Sequence, residues 1–240
     1  MTHSKLCAMA SLVCLVASPG SARSDPYLAD FRYPYAVARY DFRSQSQELW
    51  MSYMDVAPEH PNGRTAVLLH GKNFCGATWE SAISALTAAG YRVIAPDQIG
   101  FCRSAKPRAY QYSLHQLAAN THALLEELGV EEPIVIGHSM GGMLAIRYAL
   151  MFPADTAALV LVNPIGLEDW KAKGVPPATI DELYVKEKKT TAESIKKYQQ
   201  AVYYQGRWRP AYDRWVDMLA SMYVGKDSDL VACSQALTSD

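Results

Sequence analysis

The chain has 240 residues, half of them apolar, enough for one well-cored domain with an insertion and too few for two ordinary full-sized domains. Its 23 basic and 24 acidic residues give a formal net charge of -1, so nothing in the bulk charge points to nucleic acid or to a solvating acidic tail. The expected partner is a small-molecule substrate held at a site, and the oligomeric state is left open.

At the N-terminus, Lys5 precedes the apolar run 6–17, and small residues follow from Ser18 to Ala22. A basic start, a short apolar stretch and small residues at a cleavage position are the layout of a secretory signal peptide. The run is shorter than the roughly 20 residues a membrane-spanning helix needs. Cleavage after Ala22, a secreted or periplasmic location and no stable membrane span are therefore expected; an uncleaved anchor or an over-extended start are the alternatives. Cys7 and Cys14 would leave with that segment, and Cys75, Cys102 and Cys233 would remain. Cys75 and Cys102 both lie in loops after neighbouring strands and either pair or stay as two thiols; spacing leaves both open. With no CxxC and no His/Cys cluster, neither metal nor cofactor is expected.

Beyond the leader, 36–42 and 48–56 are aromatic and β-branched runs around a polar turn, read as an antiparallel pair, and 58–63 is a turn. The pattern then alternates: strand 66–69, helix 77–89, strand 91–95, helix 114–128, strand 134–136, helix 140–152, strand 159–162. Continuous apolar strands separated by helices predict a mostly parallel sheet covered on both faces, an α/β fold. Ser113 with Gln116 forms a capping-box pattern, Gly129 is placed to end that helix, and Pro153 closes the helix that starts at Met140. After Pro164 the alternation stops. The remainder reads as helical and rich in Tyr and Trp, and the charged run 186–197 as a solvated helix face.

Two motifs carry chemistry. Gly137-His138-Ser139-Met140-Gly141 is G-x-S-x-G between a strand and a helix, the context in which this pattern mounts a nucleophilic serine on a tight turn. The helix behind it would aim the Met140 amide at developing negative charge. His70-Gly71-Lys72-Asn73-Phe74 ends the strand 66–69, and its turn would supply a second oxyanion donor from the Lys72 or Asn73 amide. His70 is read as a hydrogen-bonded structural histidine of that turn, not as a base.

With "LLHGKNF", "APDQIGFCRS" and "GHSMGG" in this order, the chain resembles the α/β-hydrolase superfamily, in its lid-bearing branch of serine esterases, lipases and carbon–carbon bond hydrolases, from about residue 36 to the C-terminus. The resemblance implies a core over 23–166 and a helical lid over 167–240 that walls the substrate pocket. It places Asp97 in a structural loop. Ser139 stands where dehalogenases and epoxide hydrolases of this fold carry aspartate, which argues for acyl-type chemistry.

In this fold the triad follows the order Ser, then acid, then His. The histidines are at 3, 60, 70, 115, 122 and 138, all before Ser139. Asp227 follows a predicted helix instead of a strand and is a poor triad acid. The simplest expectation is a chain that stops inside or just beyond the lid, with the last strands missing. Three functions follow: a secreted serine hydrolase acting on an ester or related carbonyl, lacking its triad histidine in this chain; a non-catalytic relative that binds a small ligand; or an acyltransferase or perhydrolase on the same fold.

Overall fold

A computed structural model describes residues 23–238, so the proposed leader, 1–22, lies outside the described residues. Six strands, β1 Val37–Ser44, β2 Gln47–Val56, β3 Thr65–Leu69, β4 Arg92–Pro96, β5 Ile134–His138 and β6 Ala158–Val162, form one sheet in the order β1-β2-β4-β3-β5-β6. β1 and β2 are the antiparallel hairpin the sequence predicts, β2 joins β4 antiparallel, and β3 to β6 run parallel. The connections carry α1 Glu80–Ala88, α2 Leu114–Glu127 and α3 Met140–Met151; α4 Ile180–Glu187, α5 Ala192–Val202, α6 Asp213–Met222 and α7 Ser228–Leu237 follow β6.

Alternate residues of the central strands enter opposite cores, which is why these strands read as unbroken apolar runs. Leu68 and Val93 join Ile83 and the α6 residues Val216 and Leu219 on one face. Val67, Ile94 and Val135 join Leu117, Leu124 and Leu144 of α2 and α3 on the other. β6 departs from this expectation. Among the described residues it has a neighbouring strand on one side only, and Leu159, Val160 and Val162 are 38–42% exposed.

Local signals set the boundaries closely. The Ser113 hydroxyl accepts the Gln116 amide, but the Gln116 side chain donates to Asn120, so half of the predicted capping box forms. Gly129 takes φ +60° just past α2, and Pro153 opens a 3₁₀ turn after α3. The helix predicted from residue 77 begins instead as a 3₁₀ turn, Gly76–Trp79, because the Gly76 amide is drawn onto the Asp97 carboxylate at 2.8 Å.

The helices after β6 are fixed at several points. Thr179 and Thr191 cap α4 and α5 with reciprocal capping boxes. α7 returns to the core, its Ser234 hydroxyl donating to the Gly100 carbonyl at 2.6 Å. Residues 24–35 strap α6 to the sheet: the Asp25 amide donates to Ser221, Phe31 packs on Trp215, and the Tyr33 hydroxyl donates to Asp97 at 2.5 Å.

Candidate active site

β3 and β5 are neighbours in register, Leu69 opposite Gly137, so the two motifs that lie far apart in sequence meet at the C-terminal ends of adjacent parallel strands. Ligands of open α/β sheets bind at this edge. Ser139 sits at the strand-to-helix junction with φ +55° and ψ -120°, a strained backbone for a residue with a Cβ. The glycines make the junction possible. A Cβ on Gly137 would stand 2.1 Å from the Gly141 carbonyl oxygen, and one on Gly141 would stand 2.1 Å from that of Leu69. The elbow is held by the Ser139 amide donating to Val162 and by the Ile165 amide donating to the Ser139 carbonyl.

Opposite it lies the turn after β3. A Cβ on Gly71 would come within 3.1 Å of the Ser139 Cβ, so the turn backbone approaches the serine directly. The Phe74 amide closes the turn onto Gly71, while the amides of Lys72, Asn73 and Met140 have no acceptor among the described residues. These are the three amides the sequence singled out as oxyanion donors. Cys75 and Cys102 form a disulfide, closing the question the spacing left open, and so join the turn to the loop after β4. Cys233 remains a free thiol.

His70 is committed on both nitrogens, Nδ1 against the Gly71 carbonyl at 2.8 Å and Nε2 accepting the Gln98 amide at 3.0 Å. Burial holds its pKa below the ordinary value. Asp97 accepts hydrogen bonds from Tyr33, Gly76 and Arg103, a role in the loop. The sequence suggests that His138 points away from the serine. No hydrogen bond joins the two, yet the His138 ring lines the same cavity, with Phe74 and Tyr203 at centroid distances of 5.1 and 5.8 Å. Burial and then His70 keep the His138 pKa below the ordinary histidine value.

The helices after β6 supply what sequence reasoning could not single out. Tyr203, just past α5, packs edge-on against Phe74 and Tyr198. Burial pushes its pKa up to about 12, so at neutral pH it is a hydrogen-bond donor. Tyr203, Tyr204 and Trp215 roof a cavity of about 240 Å³ floored by Gly71, His138 and Val162. The aromatic content after Pro164 flagged the region; only the helix packing selects these three. The run 186–197, which spans the end of α4 and the start of α5, is also corrected: Ile195 is buried in the core. Glu187 is buried, accepting Lys72 Nζ at 2.7 Å and the Tyr223 hydroxyl at 2.8 Å, because it lies against the turn after β3. Asp227 stands at the start of α7, after a helix as expected.

A family model described as alpha/beta hydrolase fold matches residues 66–217. The chain belongs to the alpha/beta hydrolase family. Among solved structures, this alpha/beta hydrolase is similar to a probable hydrolytic enzyme from Pseudomonas aeruginosa, with 60% identity, a TM-score of 0.88, and coverage of 90% of this chain and 70% of that one. Epoxide hydrolase B of Mycobacterium tuberculosis is 36% identical over 108 residues, 45% of this chain and 30% of that protein. A cis-3-alkyl-4-alkyloxetan-2-one decarboxylase from Xanthomonas campestris is 34% identical over 139 residues, 55% of this chain and 44% of that protein. The chain thus spans less than half the length of these two curated relatives. No described helix is long and apolar enough to cross a membrane.

Proposed function

We propose that this alpha/beta hydrolase is built for serine-based acyl chemistry: Ser139 attacks the carbonyl of an ester or related substrate, and the amides of Met140 and of Lys72 or Asn73 hold the resulting oxyanion. The observation that carries this reading is the strained Ser139 backbone beside three amides that lack acceptors among the described residues. Some relatives are named as epoxide hydrolases; the serine at the elbow position favours acyl transfer to the protein over their chemistry. Labelling with a fluorophosphonate tests the assignment in any form of the protein that hydrolyses esters. Label on Ser139, lost in Ser139→Ala, supports it, and label elsewhere sinks it.

Activation of the serine is the open step. Its hydroxyl is scarcely ionised near neutral pH and needs an imidazole to take its proton. Among the described residues no histidine hydrogen-bonds Ser139, and Tyr203, with its pKa raised, cannot serve as that base. We propose that the base comes from chain beyond the segment described, as the sequence order of triads implies. The same observation favours a second reading, a ligand-binding relative without turnover.

We further propose export. The leader-like segment 1–22 supports it, as does the Cys75–Cys102 disulfide, a bond that persists in oxidising compartments. N-terminal sequencing of secreted material should begin near Arg23; intact Met1 on cytosolic protein would count against it.

A further inference from the structure

The turn that faces Ser139 is fixed at both ends, while its middle is joined to another element by one side chain. At the start, both His70 nitrogens are hydrogen-bonded, Nε2 accepting the Gln98 amide at 3.0 Å. At the end, the Phe74 amide closes onto Gly71, the Phe74 ring packs on Tyr203, Cys75 is bonded to Cys102, and Asp97 holds the Gly76 amide. Lys72 and Asn73 lie between. Among the described residues, no backbone hydrogen bond ties either of them to the rest of the chain, and their one polar link is the Lys72 ammonium, which donates to Glu187 at 2.7 Å.

Glu187 is itself held in place. It is the last residue of α4, whose first turn Thr179 caps, and the next residue, Lys188, pairs with Asp229 of α7 at 3.0 Å. Its second carboxylate oxygen accepts the Tyr223 hydroxyl, at the end of α6, at 2.8 Å. The residue is buried, and a buried charge left without its partner is costly, so the Lys72 side chain is kept where the carboxylate stands.

We propose that Glu187 is a positioning residue: through Lys72 it holds the Lys72 and Asn73 amides in place beside Ser139. This rests on the serine-hydrolase reading, in which one of these amides binds the oxyanion. Such donors act only when they are preorganised within hydrogen-bond reach of the developing charge, and a misplacement of about 1 Å can cost on the order of 10²-fold. The ends of the turn are fixed without Glu187; the segment that carries the donors is not.

NMR on the full chain tests this, first without ligand. In Glu187→Leu the Lys72 and Asn73 amides should show microsecond-to-millisecond exchange that the wild type lacks, while the Met140 amide, on another element, keeps its wild-type behaviour. Lys72→Met should do the same, and adding Glu187→Leu to it should add nothing, since both cut one link. Butylboronic acid gives the second readout. The Ser139 Oγ forms a bond to the trigonal boron and its proton passes to solvent, leaving a four-coordinate anion that mimics the oxyanion. In the wild type this adduct should move the Met140 amide and one of the Lys72 and Asn73 amides downfield. Glu187→Leu should bind the acid at least about tenfold more weakly and lose the shift of the turn amide but not that of Met140. A merely structural pair would lower the unfolding midpoint and leave both readouts as they were. The proposal is overturned if Lys72 and Asn73 stay as rigid in Glu187→Leu as in the wild type, or if Met140 loosens as much as they do. Should Glu187→Leu fail to fold, Lys72→Met/Glu187→Gln, which buries no unpaired charge, is held to the same outcomes. If the boronic acid binds Ser139→Ala as well as it binds the wild type, the serine-hydrolase reading falls alone, because exchange in the ligand-free protein still decides what Glu187 holds.

Discussion

Lys72, in the turn that faces Ser139, is joined to Glu187 at the end of α4 by an ion pair of 2.7 Å, and the Tyr223 hydroxyl completes the carboxylate's shell at 2.8 Å. The pair links α4 to the backbone that would hold an oxyanion. With side chains 23% and 11% exposed, it lies between a surface pair, worth little, and a buried one, costly to break. Lys72→Met leaves the Glu187 carboxylate with Tyr223 alone and should destabilise the fold by about 2 kcal/mol. Denaturant unfolding of the variant and of Lys72→Met/Glu187→Gln checks this; the double variant should recover part of the loss, because no uncompensated charge stays buried.

The chain of 240 residues is expected to show little or no Ser139-dependent ester turnover. His70 is tied within its own turn, and the side chains of His122 and Asp155 meet at 3.1 Å away from the elbow, on α2 and the turn after α3. The measurement is hydrolysis of a short-chain nitrophenyl ester by residues 23–240, with Ser139→Ala alongside. Robust turnover that vanishes in Ser139→Ala would mean that one of the described residues acts as the base after all.

The Cys75–Cys102 bond, with a sequence separation of 27, should contribute about 3.5 kcal/mol by restricting the unfolded chain. Cys75→Ser/Cys102→Ser should lower the unfolding midpoint accordingly, and a reducing agent should lower that of the wild type but not that of the variant. Equal midpoints would show the cross-link to be energetically silent.

Lys106 gives a pH signature. Its ammonium is fully buried, donating to the Cys102 and Ser104 carbonyls, and burial lowers its pKa to about 7 from the ordinary 10.5. Between those two values the unfolded chain holds a proton that the folded one does not, so stability rises with pH across that window. Below about pH 7 both states hold it, and the penalty is complete. Lys106→Met should remove this rise, seen as a stability difference from the wild type that changes between pH 7 and pH 10. A difference that stays constant with pH would contradict the neutral buried amine.

The alternation of apolar strands and helices, the hairpin before it and both chemistry-bearing turns were legible in the sequence, because each rests on local rules. Gly137 and Gly141 are dictated by close backbone approach, Ser113 by a cap, and the continuous strands by burial on both faces. What depended on pairing over distance was decided only in three dimensions. The pairing of β3 with β5 brings Gly71 to Ser139, and the packing of α5 chooses Tyr203 among the many aromatics after β6. Likewise, Cys75 and Cys102 are joined because the loops after β3 and β4 converge, and Glu187 is buried within a run that reads as solvated because α4 sets it against Lys72. A sequence pattern records which face of an element is apolar. It does not record which side chain of another element arrives there, since that is fixed by the packing of the whole chain.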